Sequence, residues 1–163
     1  MEYWSIGVLE YWSNGAMERR NKNRGYQQLR VWRDAIQLYV ETCRVYRPLG
    51  FELRRVASQA IASADSVHRN IAEGYCRRSV REYIQHLYIA LGSLGESVSG
   101  QIACHTAAQI SPADFETLDA LAFKLENGLL RLVESLEAKA ERGDWIDHLI
   151  LKESNEIYHT ASD

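Results

Sequence analysis

Proline is scarce in this sequence and strand-like alternation is missing from it, so a helix once begun meets few reasons to stop. Only Pro48 and Pro112 occur in 163 residues, and both fall where helices end or begin. Cysteine is scarce too. Cys43, Cys76 and Cys104 are odd in number and widely spaced, which excludes a paired-cysteine zinc site and a complete disulfide framework. They fit a reducing compartment, as small buried hydrophobes. No apolar run approaches the roughly 20 residues of a membrane span, and no signal peptide opens the chain. The expectation is a soluble, cytoplasmic protein without membrane contact.

Catalytic patterns are missing as well. A di-iron bundle needs two Glu-x-x-His pairs and two further inward glutamates, yet only Glu156-Ile-Tyr-His159 has that spacing, near the C-terminus. Asp65 with His68 and Glu82 with His86 are isolated pairs, expected at the surface or bundle edge. Gly95-Glu-Ser-Val-Ser-Gly100 has one residue too many for a nucleophile elbow and sits in a helical pattern. No Gly-rich phosphate loop or dinucleotide fingerprint occurs. These absences point away from an enzyme, a cofactor and a metal.

What the chain does have is helix. At 163 residues it makes one domain, large enough to bury about 68–70% of its unfolded surface without a disulfide or metal staple. The first helical segment runs from about Gln28 to Tyr46, with Leu29, Trp32, Ile36, Tyr39, Val40 and Cys43 as its apolar stripe; Pro48 and Gly50 end it. The second spans about Glu52 to Ala72 and turns Leu53, Ala57, Ala60, Ile61, Ala64, Val67 and Ile71 inward, with Gly74 as its stop. The third opens on a Ser-x-x-Glu capping box, Ser79 with Glu82, and carries Val80, Ile84, Leu87, Leu91, Leu94, Val98 and Ile102. Gly92 and Gly95 cost that helix about 1 kcal/mol each, a cost that close helix–helix contact would offset. The fourth has Ser111 as cap, Pro112 at the first helical position and Gly143 at its end, with Phe115, Leu118, Leu121, Leu125, Leu129, Leu132, Val133 and Leu136 inward. Four amphipathic helices with short connections predict an all-α, antiparallel up-down-up-down four-helix bundle over residues 26–143.

Flanking it are an N-terminal extension (1–25) and a C-terminal piece (144–163) with Trp145, Ile146, Leu149 and Ile150. The extension holds a direct repeat, Glu2-Tyr-Trp-Ser-Ile-Gly-Val-Leu9 then Glu10-Tyr-Trp-Ser-Asn-Gly-Ala-Met17. Two copies this short make no folding unit. The repeat is expected to be poorly ordered, with Met17 a candidate native start; the alternative is an aromatic docking peptide through Tyr3, Trp4, Tyr11 and Trp12.

The formal net charge of −3 conceals an asymmetry. Residues 1–81 carry fourteen Arg and Lys against eight Asp and Glu, a balance of +6, and residues 82–163 carry five against fourteen, a balance of −9. Charge alone favours complementarity between helices or subunits over a phosphate-binding surface. Arg55, Ser58, Ala62, Ser66 and Arg69 share one face of the second helix, and Arg77, Arg78 and Arg81 follow the turn. Arginine at a helix N-terminus opposes the macrodipole, and such residues suit phosphate or a carboxylate such as Glu73 or Glu82. Ion pairing has the edge.

The segment Asn70-Ile-Ala-Glu-Gly74, with Arg78-Ser79, Glu82-Tyr83-Ile84 and Ile89-Ala-Leu-Gly-Ser-Leu94, resembles the bacterial family of proteins encoded in 23S ribosomal RNA intervening sequences. Tyr26-Gln-Gln-Leu-Arg-Val-Trp32, completed by Ala35, is similar to that family's opening, and the resemblance covers roughly Tyr26 to Leu136. It implies a homo-oligomeric ring, a pentamer of up-and-down bundles. Related accessory proteins of diversity-generating retroelements bind nucleic acid and a reverse transcriptase. The motif Asn70, Ile71, Ala72, Glu73 and Gly74 is implied to be structural or interfacial, with Asn70 tying the turn and Glu73 holding an arginine. Where the family commonly has Ser-x-Pro-x-Asn, this chain has Ser66-Val-His-Arg-Asn70, so the second helix is expected to run on without a kink.

Two functions remain in view. One is a non-enzymatic RNA-binding ring using Arg54, Arg55, Arg69, Arg77, Arg78 and Arg81, in which a basic half meets an acidic half through repeated heterologous contacts. The other is a scaffold for a protein partner, using the aromatic extension and the acidic fourth helix with Glu116, Asp119, Glu126, Glu134, Glu137 and Glu141.

Overall fold

Four helices account for most of the residues that the computed structural model describes, which are 22–77 and 79–143. The expectations for the repeat at 2–17 and the piece at 144–163 lie outside the described residues. The helices are α1 (Arg30–Tyr46), α2 (Arg54–Tyr75), α3 (Val80–Thr106) and α4 (Pro112–Arg142). Short 3-10 turns at Lys22–Gln28 and Phe51–Leu53 precede α1 and α2, and no strand occurs among the described residues. Each helix packs on its chain neighbours, and α1 packs on α4 to close the square. Connections this short make neighbours antiparallel, so the architecture is the expected up-down-up-down bundle.

The starts of α3 and α4 follow local chemistry. Ser79 Oγ accepts the Glu82 amide at 3.1 Å and its hydroxyl donates back to the Glu82 carboxylate at 3.1 Å. Ser111 repeats the device on Asp114, at 3.1 Å for the amide and 2.6 Å for the carboxylate, with Pro112 as the first helical residue. Gly143 ends α4 in the left-handed region at φ 68°. The end of α3 closes by bonds from the Ala108 amide to the His105 carbonyl and from the Gln109 amide to the Cys104 carbonyl. That motif needs a left-handed residue, here Ala108 at φ 54° instead of the usual glycine.

Leu38, Ile71, Leu87, Leu94, Leu118, Leu125 and Leu129 are completely or almost completely buried and form the centre of the core. On α2, α3 and α4 the inward faces agree with the apolar spacing, apart from Leu53, which ends the 3-10 turn before α2 and takes no part in the core, and Ile102, which is exposed. On α1 the expected stripe is inward only in part: Cys43 is buried and half-buried Leu29 and Trp32 pack against the core, while half-buried Ile36 and Tyr39 and exposed Val40 form a flank. The buried face is Val31, Ala35, Leu38, Thr42, Val45 and Tyr46. A small Ala35 and a polar Thr42 disguise it. Thr42 is accommodated because its hydroxyl donates to the Leu38 carbonyl at 2.8 Å, one turn back.

Three further expectations change. Gly74 does not stop α2, which is continuous to Tyr75; it lies buried against α3. Gly92 and Gly95 are exposed and face open space, so no close contact within the subunit explains them. Cys43 and Cys104 are buried as expected, whereas Cys76 is exposed.

Candidate nucleic-acid interface

Helix α2 carries half of the candidate arginines, Arg54, Arg55 and Arg69, and its length separates them. Twenty-two residues at about 1.5 Å rise put roughly 30 Å between its ends. Arg54 and Arg55 are its first two residues, while Arg69 lies in its last two turns, Arg77 just beyond its far end and Arg81 in the first turn of α3. The structure therefore divides the arginines between two ends of the bundle. The side chain of Arg78 lies outside the described residues.

At the far end, carboxylates take up much of the positive charge. Arg69 Nε lies 2.5 Å from Asp65 Oδ2, one turn back on the same helix. The other oxygen of Asp65 meets His68 Nε2 at 3.1 Å. Burial holds the His68 imidazole below its ordinary pKa despite that carboxylate, which acts in the opposite direction. Arg77 pairs with Glu73, as the resemblance implied for that glutamate. Arg81 is exposed and lines a shallow hollow with Ile84, Glu137, Ala140 and Glu141, an acidic setting.

The motif Asn70–Gly74 is thus helical, occupying the last turns of α2. Its Asn70 amide donates to the Ser66 carbonyl at 2.8 Å, and its oxygen lies 3.4 Å from His86 Nδ1 on α3. Ile71 is core. Tyr26 from the family-like opening packs on Trp32 and on Tyr75, with ring centroids 5.4 and 6.3 Å apart, and Tyr75 meets Tyr83 at 6.0 Å. Opening and motif are therefore halves of one packed end. Tyr75 and Tyr83 give this cluster its centre, and spacing alone did not single them out.

The other end is different. Arg54 and Arg55 are exposed, and so is Arg47, seven residues earlier across the Pro48–Gly50 turn. None of the three forms an ion pair among the described residues, although Glu52 stands exposed between them in sequence. Arg44, one turn before, is engaged: it contacts Glu41 at 2.7 Å and Asp114 at 2.8 Å. Ser111 and then Arg44 hold the Asp114 carboxyl below its usual range. The Arg54 guanidinium sits 4.6 Å from the centroid of Phe51. The sequence reading did not single out Arg47 and Phe51; the signal available was a short turn that leaves three arginines at one end of the bundle.

No group of three or more His, Cys, Asp or Glu side chains that could hold a metal occurs among the described residues. No helix among them is long and apolar enough to cross a membrane. The family model for 23S rRNA-intervening sequence proteins matches residues 27–131. A solved structure of a protein of unknown function from the S23 ribosomal protein family of Bacteroides thetaiotaomicron superimposes with a TM-score of 0.60 at 20% identity, covering 64% of this chain and 95% of that one. At that identity the likeness bears on the fold. No curated protein matches.

Proposed function

Because the chain belongs to the 23S rRNA-intervening sequence protein family, we propose that it is a non-enzymatic, oligomeric bacterial protein that binds RNA. The observation that carries the reading is the α1–α2 corner, where Arg47, Arg54 and Arg55 are exposed without an ion pair among the described residues. Arg54 and Arg55 also occupy the first turn of α2, where the macrodipole opposes cations and which itself holds no acidic residue. Phosphate would satisfy both the arginines and the helix end. Arg69 and Arg77, already held by Asp65 and Glu73, contribute less.

Assembly would multiply that corner. On α3, Tyr88, Gly92, Gly95, Ser99 and Ile102 recur at alternating steps of four and three residues, and every one is exposed. Phe123 and Leu130 are exposed on the adjoining α4. A second copy packed on this face would cover the apolar side chains and use the two glycines for close approach. Repetition of a heterologous contact closes a ring, and a pentamer is the form proposed.

Titrating labelled RNA at about 50 and 200 mM salt tests the binding. Several phosphate contacts should cost an order of magnitude or more in affinity between those conditions. Replacing Arg47, Arg54 and Arg55 with Ala should weaken binding and flatten the salt dependence by about one unit of slope per contact. No binding at the lower salt sinks the RNA reading and turns the search to a protein partner. For assembly, Gly92→Glu with Gly95→Glu should leave the subunit folded and reduce the mass found by light scattering to that of one chain. A wild-type protein that is already monomeric overturns this part.

A further inference from the structure

Resting on the RNA-binding reading, we infer that the α1–α2 corner holds an unpaired base on Phe51, so the RNA it takes is single-stranded or looped and not continuous duplex. Phe51 is 79% exposed, more than any other large hydrophobic residue among those described. Its backbone is fixed: it opens a 3-10 turn closed by the Leu53 amide on the Gly50 carbonyl at 2.9 Å, and α2 follows directly. The Arg54 guanidinium, 4.6 Å from the ring centroid, backs one face and limits where the ring can swing. At this exposure the rest of the ring stands open to solvent. It is no part of the core, and the π-face opposite Arg54 is open.

An open aromatic face flanked by unpaired guanidinium groups suits one chemistry well. A splayed base stacks on the ring while Arg47 and Arg55 reach the phosphates on either side of it. Continuous A-form duplex keeps its base faces inside the stack, and its deep, narrow groove does not admit side chains. Duplex would therefore meet the arginines alone. The charge of the corner agrees: from Arg47 to Arg55 the chain carries three arginines against the single carboxylate of Glu52.

The test uses the full chain, a labelled RNA strand without internal complementarity, and the same strand annealed to its complement. Wild type should prefer the single strand. Phe51→Ala should weaken that affinity by roughly five- to a hundredfold, the range expected for one lost base stack, and leave duplex affinity and the helical circular dichroism unchanged. Phe51→Trp should restore the preference. Equal affinity of wild type for the two RNAs, or equal loss on both with Phe51→Ala, overturns the inference while leaving RNA binding standing. Failure of wild type to bind either strand at low salt removes the RNA-binding reading itself. A fall in oligomer mass with Phe51→Ala, at unchanged RNA affinity, makes the residue a subunit contact and overturns the inference.

Discussion

Gly74→Ala should destabilise the subunit by about 2 kcal/mol, although alanine is the better helix former. Two terms compete. Inside a helix the substitution gains about 0.5–1 kcal/mol, because glycine loses more backbone freedom on folding. Against that, a Cβ at position 74 would lie 2.7 Å from the His86 Cβ, 2.9 Å from Tyr83 Cδ2 and 3.2 Å from the Tyr83 carbonyl oxygen. The His86 Cβ is fixed to the backbone of α3 and cannot swing aside, so the helices must separate along their most extensive contact. Overpacking of this kind costs about 1–3 kcal/mol and sometimes more. Urea unfolding should show a lowered midpoint at unchanged slope, and melting should fall by roughly 5–10 °C. A midpoint that rises would mean that α2 and α3 can part at no cost.

Lys124→Met should cost about 2 kcal/mol, and Asp34→Asn distinctly less. Lys124 Nζ donates to Asp34 Oδ1 at 2.7 Å across the α1–α4 seam. The partners are unequal: the Lys124 side chain is 55% exposed and that of Asp34 only 10%. Asp34 Oδ2 is buried without a hydrogen-bond partner. Removing the lysine leaves a carboxylate stranded with neither oxygen satisfied by protein. Removing the carboxylate leaves an ammonium that water already reaches, and solvent screening limits what the pair contributes in the first place. Thermal or urea unfolding of both variants reads the difference directly. Equal losses would show that the charge at position 34 is well hydrated and that the seam holds by packing alone.

The fold was legible where residues act through local chemistry. Ser79 and Glu82, Ser111 and Pro112, and Gly143 mark helix ends by hydrogen-bonding needs that do not depend on what lies across the bundle, and all mark them correctly. Glycine was less legible because its two uses, stopping a helix and admitting a neighbour, look alike in one dimension. Gly74 has the second use where the first was expected, and Gly92 and Gly95 have neither within the subunit. On α1, Ile36, Tyr39 and Val40 outweigh Ala35 and Thr42 in hydrophobicity, so the periodicity points to the flank. The candidate arginines were identifiable singly, but their grouping follows from helix length and antiparallel order, which composition does not encode.

The closing of the square has a kinetic meaning. Three of the four seams join helices adjacent in the chain, and these can form early at small loop-closure cost. The α1–α4 seam joins residues as far apart as Asp34 and Lys124, or Val31 and Gly128, so it is the natural last event in folding. Interactions absent from the transition state govern escape from the native state, not the approach to it. With that order of events, changes at this one seam should alter the lifetime of the folded subunit more than the speed of its formation.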